Sequence, residues 1–313
     1  MRVVGVQEPG GPEALRVVEI PEPEAGPGEI LVRVRAATVN PTDTYVRNGD
    51  RREYQEKAGP PPYVPGMDVA GVVEAIGPDT KTDLTVGDWV MAIVVPDGAH
   101  GGYSEKLALP AGSVVASPNG ASLAEASTLP MNGLTARLAL DLMDLKAGQT
   151  VAVTGAAGAF GGYVVQLAKA DGLRVVADAS EADEELVRGL GADIVVRRGD
   201  DVADRIRAAV PEGVDGLADG AVQNELVLPA IADGGSMATV RGFRADTPRG
   251  ITIHQVWVPT VAEDRDRLDR LRQQVEDGQI TLRVADTMPL ADAARAHERL
   301  EAGGVRGRLV LEP

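Results

Sequence analysis

The stretch that decides the fold runs Thr150-Val-Ala-Val-Thr-Gly-Ala-Ala-Gly-Ala-Phe-Gly-Gly-Tyr-Val-Val-Gln-Leu-Ala-Lys169. Its first part predicts a buried strand from Val151 to Thr154, and its last part predicts a helix from about Ala159 onward. Glycines stand between them at positions 155, 158 and 161, in the spacing G-x-x-G-x-x-G. Such a turn lets the backbone approach a pyrophosphate closely and directs N–H groups of the helix start at the anion.

A second predicted strand, Leu173 to Ala177, follows after a helix-length gap and ends at Asp178-Ala-Ser180. A strand–helix–strand unit of this size is far more specific than three glycines alone, and Gly161 is expected to let the helix pack closely on its strand. A glycine-rich turn in another α/β fold is the alternative. We predict a dinucleotide site contacted by Gly155, Ala157, Gly158, Ala159 and Phe160.

Composition excludes several classes of protein. The chain has 313 residues, enough for two domains, and its formal charge of −16 argues against a nucleic-acid surface or an anionic membrane as partner. It has no cysteine, which removes disulfides, thiol catalysis and cysteine-based zinc sites. No apolar signal core follows Met1 and no uncharged run approaches membrane-spanning length, so we expect a cytoplasmic protein.

The chain changes character along its length. Residues 1–115 alternate short apolar segments with proline and glycine clusters, which predicts an all-β region. A capping box from Ser122 to Glu125 predicts a helix start, and helical spacing runs from Met131 to Met143. From 148 to 260 strands and helices alternate, which predicts a parallel sheet covered on both faces, with an edge strand from Ile251 to Val258.

The C-terminal part predicts a return to the first region. We expect a charged amphipathic helix, a strand, a second helix and a final strand whose pattern is like that of the N-terminal region. These segments are Arg265 to Glu276, Gln279 to Val284, Ala291 to Glu301 and Arg308 to Leu311.

A set of motifs in register covers nearly the whole chain. In order they are Asn40-Pro-Thr-Asp-Thr-Tyr-Val-Arg47, Pro65-Gly-Met-Asp-Val-Ala-Gly-Val-Val73, Gly87-Asp-Trp-Val90, Gly101-Gly-Tyr-Ser-Glu105, Leu129-Pro-Met-Asn-Gly-Leu-Thr-Ala136, Leu190-Gly-Ala-Asp193, Pro289-Leu-Ala-Asp-Ala-Ala-Arg-Ala-His297 and Gly307-Arg-Leu-Val-Leu311. Together they resemble zinc-free medium-chain dehydrogenases/reductases of the quinone oxidoreductase (zeta-crystallin-like) group.

The resemblance implies an α/β fold in which a GroES-like β-rich catalytic domain accompanies a doubly wound Rossmann domain. We expect the catalytic domain at 1–118, completed by 262–313, and the Rossmann domain at 119–261. It further implies a homodimer paired through the sheet edge that carries His254 and Trp257. Zinc-dependent relatives have cysteine and histidine ligands near Asp43 and Met67, where this chain has neither, so no metal is expected.

By the same resemblance, the enzyme transfers hydride from NADPH to a quinone or a similar conjugated carbonyl. Without zinc, hydrogen-bond donors must polarise the oxygen of the acceptor. Asn40 is expected to line the nicotinamide–substrate cleft, Asp43 to occupy a proton-relay position, and Tyr45 to donate to the quinone oxygen. The plainer alternatives are that Asn40 and Asp43 are turn residues beside Pro41 and that Tyr45 packs.

The choice of cofactor is open between NADP and NAD. Asp178 at a strand end is suited to accept hydrogen bonds from an adenosine ribose, which favours NAD. Arg197 and Arg198 follow the third strand, where relatives contact the 2′-phosphate of NADP, and guanidinium groups suit phosphate. We favour NADP, with Asp178 and the arginine pair as simple surface charges in the alternative.

Further cofactor contacts follow from the resemblance alone. They are Met131, Thr135, Ser180, Val240, Arg241, Gly242 and Arg308, and packing or solvent exposure is the alternative for each. The reading as a short-chain dehydrogenase fails, since Tyr163 is followed four residues later by Leu167 rather than lysine. An enoyl or alkenal/one reductase and a non-catalytic NADPH-binding protein remain open, and Tyr54, Gln55 and Tyr63 only suggest a loop that tolerates aromatic substrates.

Overall fold

The computed structural model describes residues 1–50, 59–247 and 249–313, so Tyr54 and Gln55 lie outside the described residues. The chain forms two compact units. Unit 1 comprises Met1–Met131, Pro259–Glu276 and Leu282–Pro313, and unit 2 comprises Asn132–Val258 and Asp277–Thr281. The domain boundaries expected from the sequence, after residues 118 and 261, stay a prediction.

The described residues form strands in both units. In chain order they are β1 (Arg2–Gly5), β2 (Arg16–Glu19), β3 (Glu29–Thr38), β4 (Asp68–Ile76), β5 (Trp89–Ile93), β6 (Lys106–Pro110), β7 (Val114–Ala116), β8 (Thr150–Thr154), β9 (Arg174–Ala179), β10 (Ile194–Arg197), β11 (Val214–Asp219), β12 (Ile231–Thr239), β13 (Thr252–Gln255), β14 (Val284–Pro289) and β15 (Arg308–Glu312).

The α-helices of the described residues are α1 (Asp43–Asn48), α2 (Leu123–Ala126), α3 (Pro130–Met143), α4 (Ala159–Ala170), α5 (Glu184–Gly189), α6 (Val202–Ala209), α7 (Arg265–Glu276) and α8 (Ala293–Glu301). Short 3-10 helices lie at Pro12–Ala14, Ala111–Ser113, Glu181–Asp183, Asn224–Ala230, Val258–Val261 and Leu290–Asp292. Among the described residues, no helix is both long and apolar enough to span a membrane.

Unit 1 is built on a mostly antiparallel sheet in the order β14-β15-β3-β4-β5-β7, with β6 paired to β3. The long strand β3 is its centre, since it pairs with β4, β6 and β15. Pairing of Val310 with Thr38 ties the C-terminal strand to the N-terminal region, which confirms the predicted return of the chain. Buried valines and leucines of these strands form one core.

Unit 2 is a six-stranded sheet in the order β10-β9-β8-β11-β12-β13, and every pairing in it is parallel. Parallel strands require crossover connections, and helices α4, α5 and α6 lie on three of them. The order reverses between β8 and β11, so the ends of these two strands frame the point where such sheets bind ligands. The predicted Rossmann sheet and its β13 edge are confirmed.

Three helix predictions hold in detail. Ser122 and Glu125 form the predicted capping box at the start of α2, and α3 covers the helical spacing that the sequence showed up to Met143. The predicted helix from Arg265 to Glu276 matches α7 at both ends.

The predicted strand from Gln279 to Val284 is wrong, because the chain becomes a strand only at Val284. Thr281 donates its backbone N–H to Oε1 of Gln166 at 2.8 Å, so a side chain rather than a strand satisfies it. The residues that precede Leu282 belong to unit 2, and pairing with β15 begins only afterwards.

Two other segments also differ from the sequence prediction. The edge strand is shorter than Ile251 to Val258, since β13 ends at Gln255 and a 3-10 helix starts at Val258, next to a proline that cannot extend a strand ladder. The residues from Asn40 to Tyr45 are not a simple turn, because α1 begins at Asp43 and ends at Asn48, followed by Gly49 with a φ of 76°.

Candidate active site

The glycine turn of unit 2 forms a cradle that side chains would fill. Gly155 has a φ of 66°, and a Cβ on it would lie 2.9 Å from the carbonyl carbon of Gly220. A Cβ on Gly161 would lie 2.4 Å from the carbonyl oxygen of Gly155, so the predicted close packing at Gly161 is confirmed. Helix α4 begins at Ala159, and its N-cap is Gly158, which has no side chain with which to cap. The cradle therefore fits the pyrophosphate of a dinucleotide.

A pair of buried polar residues holds the neighbouring loop against this turn. Thr154, at the end of β8, donates its hydroxyl to Oδ1 of Asp219 at 2.7 Å, across to the end of β11. Asp219 also accepts the backbone N–H of Gln223 at 3.1 Å and that of Asn224 at 2.8 Å. Val222 and Asn224 both have positive φ, at 58° and 56°. Asp219 thus fixes a strained loop beside the candidate cofactor site.

Asp178 braces the glycine turn from the neighbouring strand. Its Oδ1 accepts the backbone N–H of Ala156 at 3.1 Å, and burial raises the pKa of this carboxyl above its ordinary value. Strand β9 continues to Ala179, so Asp178 lies within the strand and Ser180 is the residue that follows it. Its role as a ribose acceptor stays a prediction, with one of its oxygens already occupied by the turn.

The end of β10 brings a cation next to the end of β9. The strands pair Arg197 with Ala179, and the backbone N–H of Arg198 donates to the carbonyl oxygen of Ala179 at 2.9 Å. Arg198 is exposed, whereas Arg197 is bound to Glu181 at 3.4 Å. Ser180 donates its hydroxyl to Asp183 at 2.5 Å. The structure thus places the backbone of Arg198 beside Ala179, the residue before Ser180, and a shared contact of the two residues with phosphate stays a prediction.

Other expected cofactor contacts lie at separate places in unit 2. Val240, Arg241 and Gly242 directly follow β12, and Gly242 has a φ of 76°. Thr135 is buried on α3 within unit 2, and Phe160 is half-buried at the start of α4. Their contacts with a cofactor stay predictions.

Unit 1 contains a buried polar cluster, which we define as Thr38, Asn40, Asp43, Arg47, Asp68, Tyr103, His297 and Arg308. Asp68, at the start of β4, accepts three hydrogen bonds: from the Thr38 hydroxyl at 2.8 Å, from Nδ2 of Asn40 at 2.7 Å and from the Met131 N–H at 2.5 Å. Burial raises its pKa, and the positive charge of Arg308 opposes that rise.

Asp43 is the second carboxyl of the buried polar cluster. Its Oδ2 accepts the backbone N–H of Asn40 at 2.7 Å and the hydroxyl of Tyr103 at 3.0 Å, and its Oδ1 accepts the N–H of Gly66 at 3.2 Å. Burial raises the pKa of Asp43 to about 7, against the effect of these donors. Its carboxylate therefore fixes the backbone that carries Asn40.

Arg308 lies in this cluster, where its guanidinium donates to Oδ1 of Asn40. Both ends of the Asn40 amide are thereby hydrogen-bonded, since its Nδ2 donates to Asp68 and its Oδ1 accepts from Arg308. A contact from Arg308 to the cofactor stays a prediction. Tyr45 lies half-buried on α1, outside these hydrogen bonds.

Sequence reasoning missed Asp68, Tyr103, His297 and Arg47 as members of one cluster. Asp68 offered a signal, since a carboxylate opens an otherwise apolar strand, and buried carboxylates need partners. The other three gave none, because they lie far apart in the chain and meet only in the folded unit 1.

The chain lacks the cysteine ligands of cysteine-based zinc sites. Structural zinc sites use cysteine and histidine, and the sequence has no cysteine and only three histidines. Within residues 1–50, 59–247 and 249–313, no group of three or more His, Asp or Glu side chains is arranged to hold a metal ion.

Comparison with known proteins agrees with both units. Residues 26–119 match the family model described as alcohol dehydrogenase GroES-like domain, and residues 190–311 match the model described as zinc-binding dehydrogenase. Two solved structures cover 100% of this chain and 100% of their own: an NAD-dependent alcohol dehydrogenase at 31% identity and a TM-score of 0.87, and a mycobacterial protein in complex with NADPH at 30% and 0.86.

Relatives with full-length similarity define the family. The quinone oxidoreductase of Mus musculus is 31% identical over 99% of this chain and 97% of its own length. The chloroplastic NADPH-dependent alkenal/one oxidoreductase of Arabidopsis thaliana is 31% identical over 97% of this chain and 77% of its own. With its GroES-like match, its Rossmann sheet and this similarity along the whole chain, the protein belongs to the quinone oxidoreductase family of medium-chain dehydrogenases/reductases.

Proposed function

We propose that this protein is an NADPH-dependent oxidoreductase that reduces a quinone or a similar conjugated carbonyl without zinc. The observation that carries the proposal is the glycine cradle of unit 2, in a chain whose full-length relatives include quinone oxidoreductases. NADPH, when bound, supplies the hydride. The backbone around Gly155 and Gly158 binds the pyrophosphate, and Asp178 keeps that turn in place.

NADPH is favoured over NADH by the residues at the ends of β9 and β10. The backbone of Arg198 lies beside Ala179, the residue before Ser180, and the carboxylate of Asp178, which would repel a 2′-phosphate, accepts a hydrogen bond from the glycine turn. A similar solved protein is an NAD-dependent alcohol dehydrogenase, so NADH is the competing cofactor.

Replacing Arg198 tests the choice of cofactor. We expect Arg198→Ala to weaken NADPH binding about tenfold, as the loss of one charged phosphate contact predicts, and to leave NADH binding unchanged. Fluorescence titration of both nucleotides measures the effect. Arg188→Ala, which removes an exposed arginine of α5 paired with Glu184 in its own helix, is the matched control. Equal losses for both nucleotides, or tighter binding of NADH by the wild type, would overturn the assignment.

Hydrogen-bond donors in unit 1 polarise the oxygen of the acceptor, as zinc does in zinc-dependent dehydrogenases. The amide of Asn40 is held by Asp68 and Arg308, so we assign it to shaping the site, and Tyr45 to donating to the acceptor oxygen. Stopped-flow oxidation of bound NADPH by 1,4-benzoquinone, with Tyr45→Phe beside the wild type, tests this assignment. Full turnover of Tyr45→Phe would remove the tyrosine from that role.

An enone reductase is the second candidate, since one relative is named an NADPH-dependent alkenal/one oxidoreductase. Faster oxidation of NADPH by an α,β-unsaturated ketone than by 1,4-benzoquinone would favour it. Binding of NADPH with oxidation by neither acceptor would favour a non-catalytic binding protein. A homodimer and a cytoplasmic location complete the proposal.

A further inference from the structure

Four buried side chains of unit 1 form a single line of hydrogen bonds that ends on Asp43. Nη1 of Arg47 lies 3.2 Å from Nδ1 of His297, and Nε2 of His297 lies 3.0 Å from the hydroxyl oxygen of Tyr103. That hydroxyl lies 3.0 Å from Oδ2 of Asp43. All four residues are buried.

Resting on the proposed function, we infer that Arg47 and His297 are positioning residues: Arg47 sets the proton of His297 on Nε2, and through Tyr103 this holds the Asp43 carboxylate that fixes Asn40.

The donor and acceptor roles along this line of hydrogen bonds follow from Arg47. A guanidinium has donors and no acceptor, so Nδ1 of His297 must accept, and the imidazole is neutral with its proton on Nε2. Nε2 then donates to the oxygen of Tyr103, and Tyr103 uses its one proton on Asp43. Every partner of Asp43 in the line and in the backbone is thus a donor, an arrangement suited to the carboxylate.

Arg47 is itself held in place. Its Nε donates to the carbonyl oxygen of Gly10 at 3.2 Å, and its Nη2 binds Glu301 of α8 at 2.6 Å. The rings of Tyr103 and His297 are nearly perpendicular, at 85°. The line is therefore clamped at its outer end, and it cannot reverse without taking a proton from a guanidinium.

The charged and titratable groups that face this line support the assignment. Burial and the charge of Arg47 lower the pKa of His297 to about 4, against the effect of Glu301. At the other end, Asp43 faces Arg308 of β15, which lowers its pKa, and Asp68 of β4, which raises it.

Histidine NMR tests the inference without turnover or cofactor. The chain has three histidines, so the His297→Gln spectrum identifies the resonances of His297 in the ¹⁵N-labelled full chain. We expect the neutral Nε2–H tautomer, with no titration between about pH 5 and about pH 8. A proton on Nδ1, or a charged ring at neutral pH, would overturn the inference.

Variants of the outer and inner ends test the coupling. Arg47→Ala is expected to let His297 exchange tautomers and titrate, and Arg47→Lys, a donor without an acceptor, to restore the Nε2–H form. Arg299→Ala is the control, because Arg299 lies on α8 with His297 and forms an exposed ion pair with Asp286 of β14; it should leave the His297 spectrum unchanged. Loss of the tautomer in Arg299→Ala as well would point to a general effect on α8 and contradict a specific role of Arg47.

Tyr103→Phe removes the donor to Asp43 and should raise the pKa of that carboxyl by about one to two pH units, since hydrogen bonds to charged groups are worth about 1.5–3 kcal/mol. The ¹³C shift of the Asp43 carboxyl measures this titration directly. An unchanged pKa would show that Asp43 is not coupled to this line of hydrogen bonds. If NADPH turnover is absent in the wild type, the proposed function fails while these spectra still decide the inference.

Discussion

At the scale of single residues, the protein concentrates its buried charge in one place. Asp43, Asp68 and Arg308 are each buried within unit 1, and each has polar partners from elsewhere in the chain. Burial disfavours the charged form of a carboxyl group, which accounts for the raised pKa values of both aspartates. The donors around each carboxyl group offset part of this effect. The buried polar cluster therefore lowers the free energy of unfolding while it holds Asn40 in one geometry.

The titration of Asp43 gives this cost a pH dependence. Its ordinary pKa is 3.8, and burial raises it to about 7 in the folded protein. Between these values the folded state keeps a proton that the unfolded chain has lost, so the contribution of Asp43 to stability falls as the pH rises and levels off above the folded pKa.

The comparison with Asp43→Asn, which cannot titrate, isolates this contribution. Between about pH 4 and about pH 7, we expect the wild type to lose up to roughly 1.4 kcal/mol per pH unit relative to the variant. Urea unfolding at several pH values measures the difference. Parallel pH profiles for the two proteins would contradict the raised pKa.

At the scale of elements, the glycine turn between β8 and α4 has a strict steric requirement. A methyl group on Gly161 would meet both the carbonyl oxygen of Gly155 and the Cα of Ala156, at 2.4 Å and 2.8 Å. Both are backbone atoms, so relief requires the turn itself to move.

We expect Gly161→Ala to lower the free energy of unfolding by about 1–3 kcal/mol, as overpacking does, and to weaken NADPH binding more than tenfold. Thermal unfolding and fluorescence titration measure the two effects. Gly189→Ala in α5 is the control, since a Cβ there would have open space around it, and neither quantity should fall. Unchanged NADPH affinity in Gly161→Ala would mean that the turn does not hold the cofactor.

The helices and strands also show how much of the fold the sequence alone predicts. The strand–turn–helix around Gly155 was predictable because its signal is local: a run of apolar residues, glycines at fixed spacing and a helical period. The strand at Val284–Pro289 was misplaced because Gln166, distant in sequence, takes the N–H of Thr281. Arg47, Tyr103 and His297 carry no local pattern, so only the folded structure of unit 1 reveals that they meet beside Asp43.

At the scale of the whole molecule, the edge strand β13 is where we expect two copies to pair. Val256 and Val258 are already buried within the chain, whereas the side chain of Trp257 between them is 49% exposed. A homodimer through this edge would cover the tryptophan.

Replacing Trp257 therefore tests the expected dimer. Sedimentation should show a dimer for the wild type and a shift toward monomer for Trp257→Ser, without loss of the folded state. Trp89→Ser is the matched control, because Trp89 is 55% exposed on a strand of the other unit and should leave the dimer intact. A monomeric wild type, or equal effects of the two substitutions, would contradict pairing at β13.

The central claim is that this protein reduces quinones with NADPH and its own hydrogen-bond donors. Its most direct test is a stopped-flow mixing of the chelator-treated protein, loaded with NADPH, with 1,4-benzoquinone, followed by NADPH fluorescence. We predict rapid oxidation of bound NADPH, unaffected by added zinc and slowed in Tyr45→Phe. Tight binding of NADPH without oxidation, or oxidation only after zinc is added, would contradict the claim.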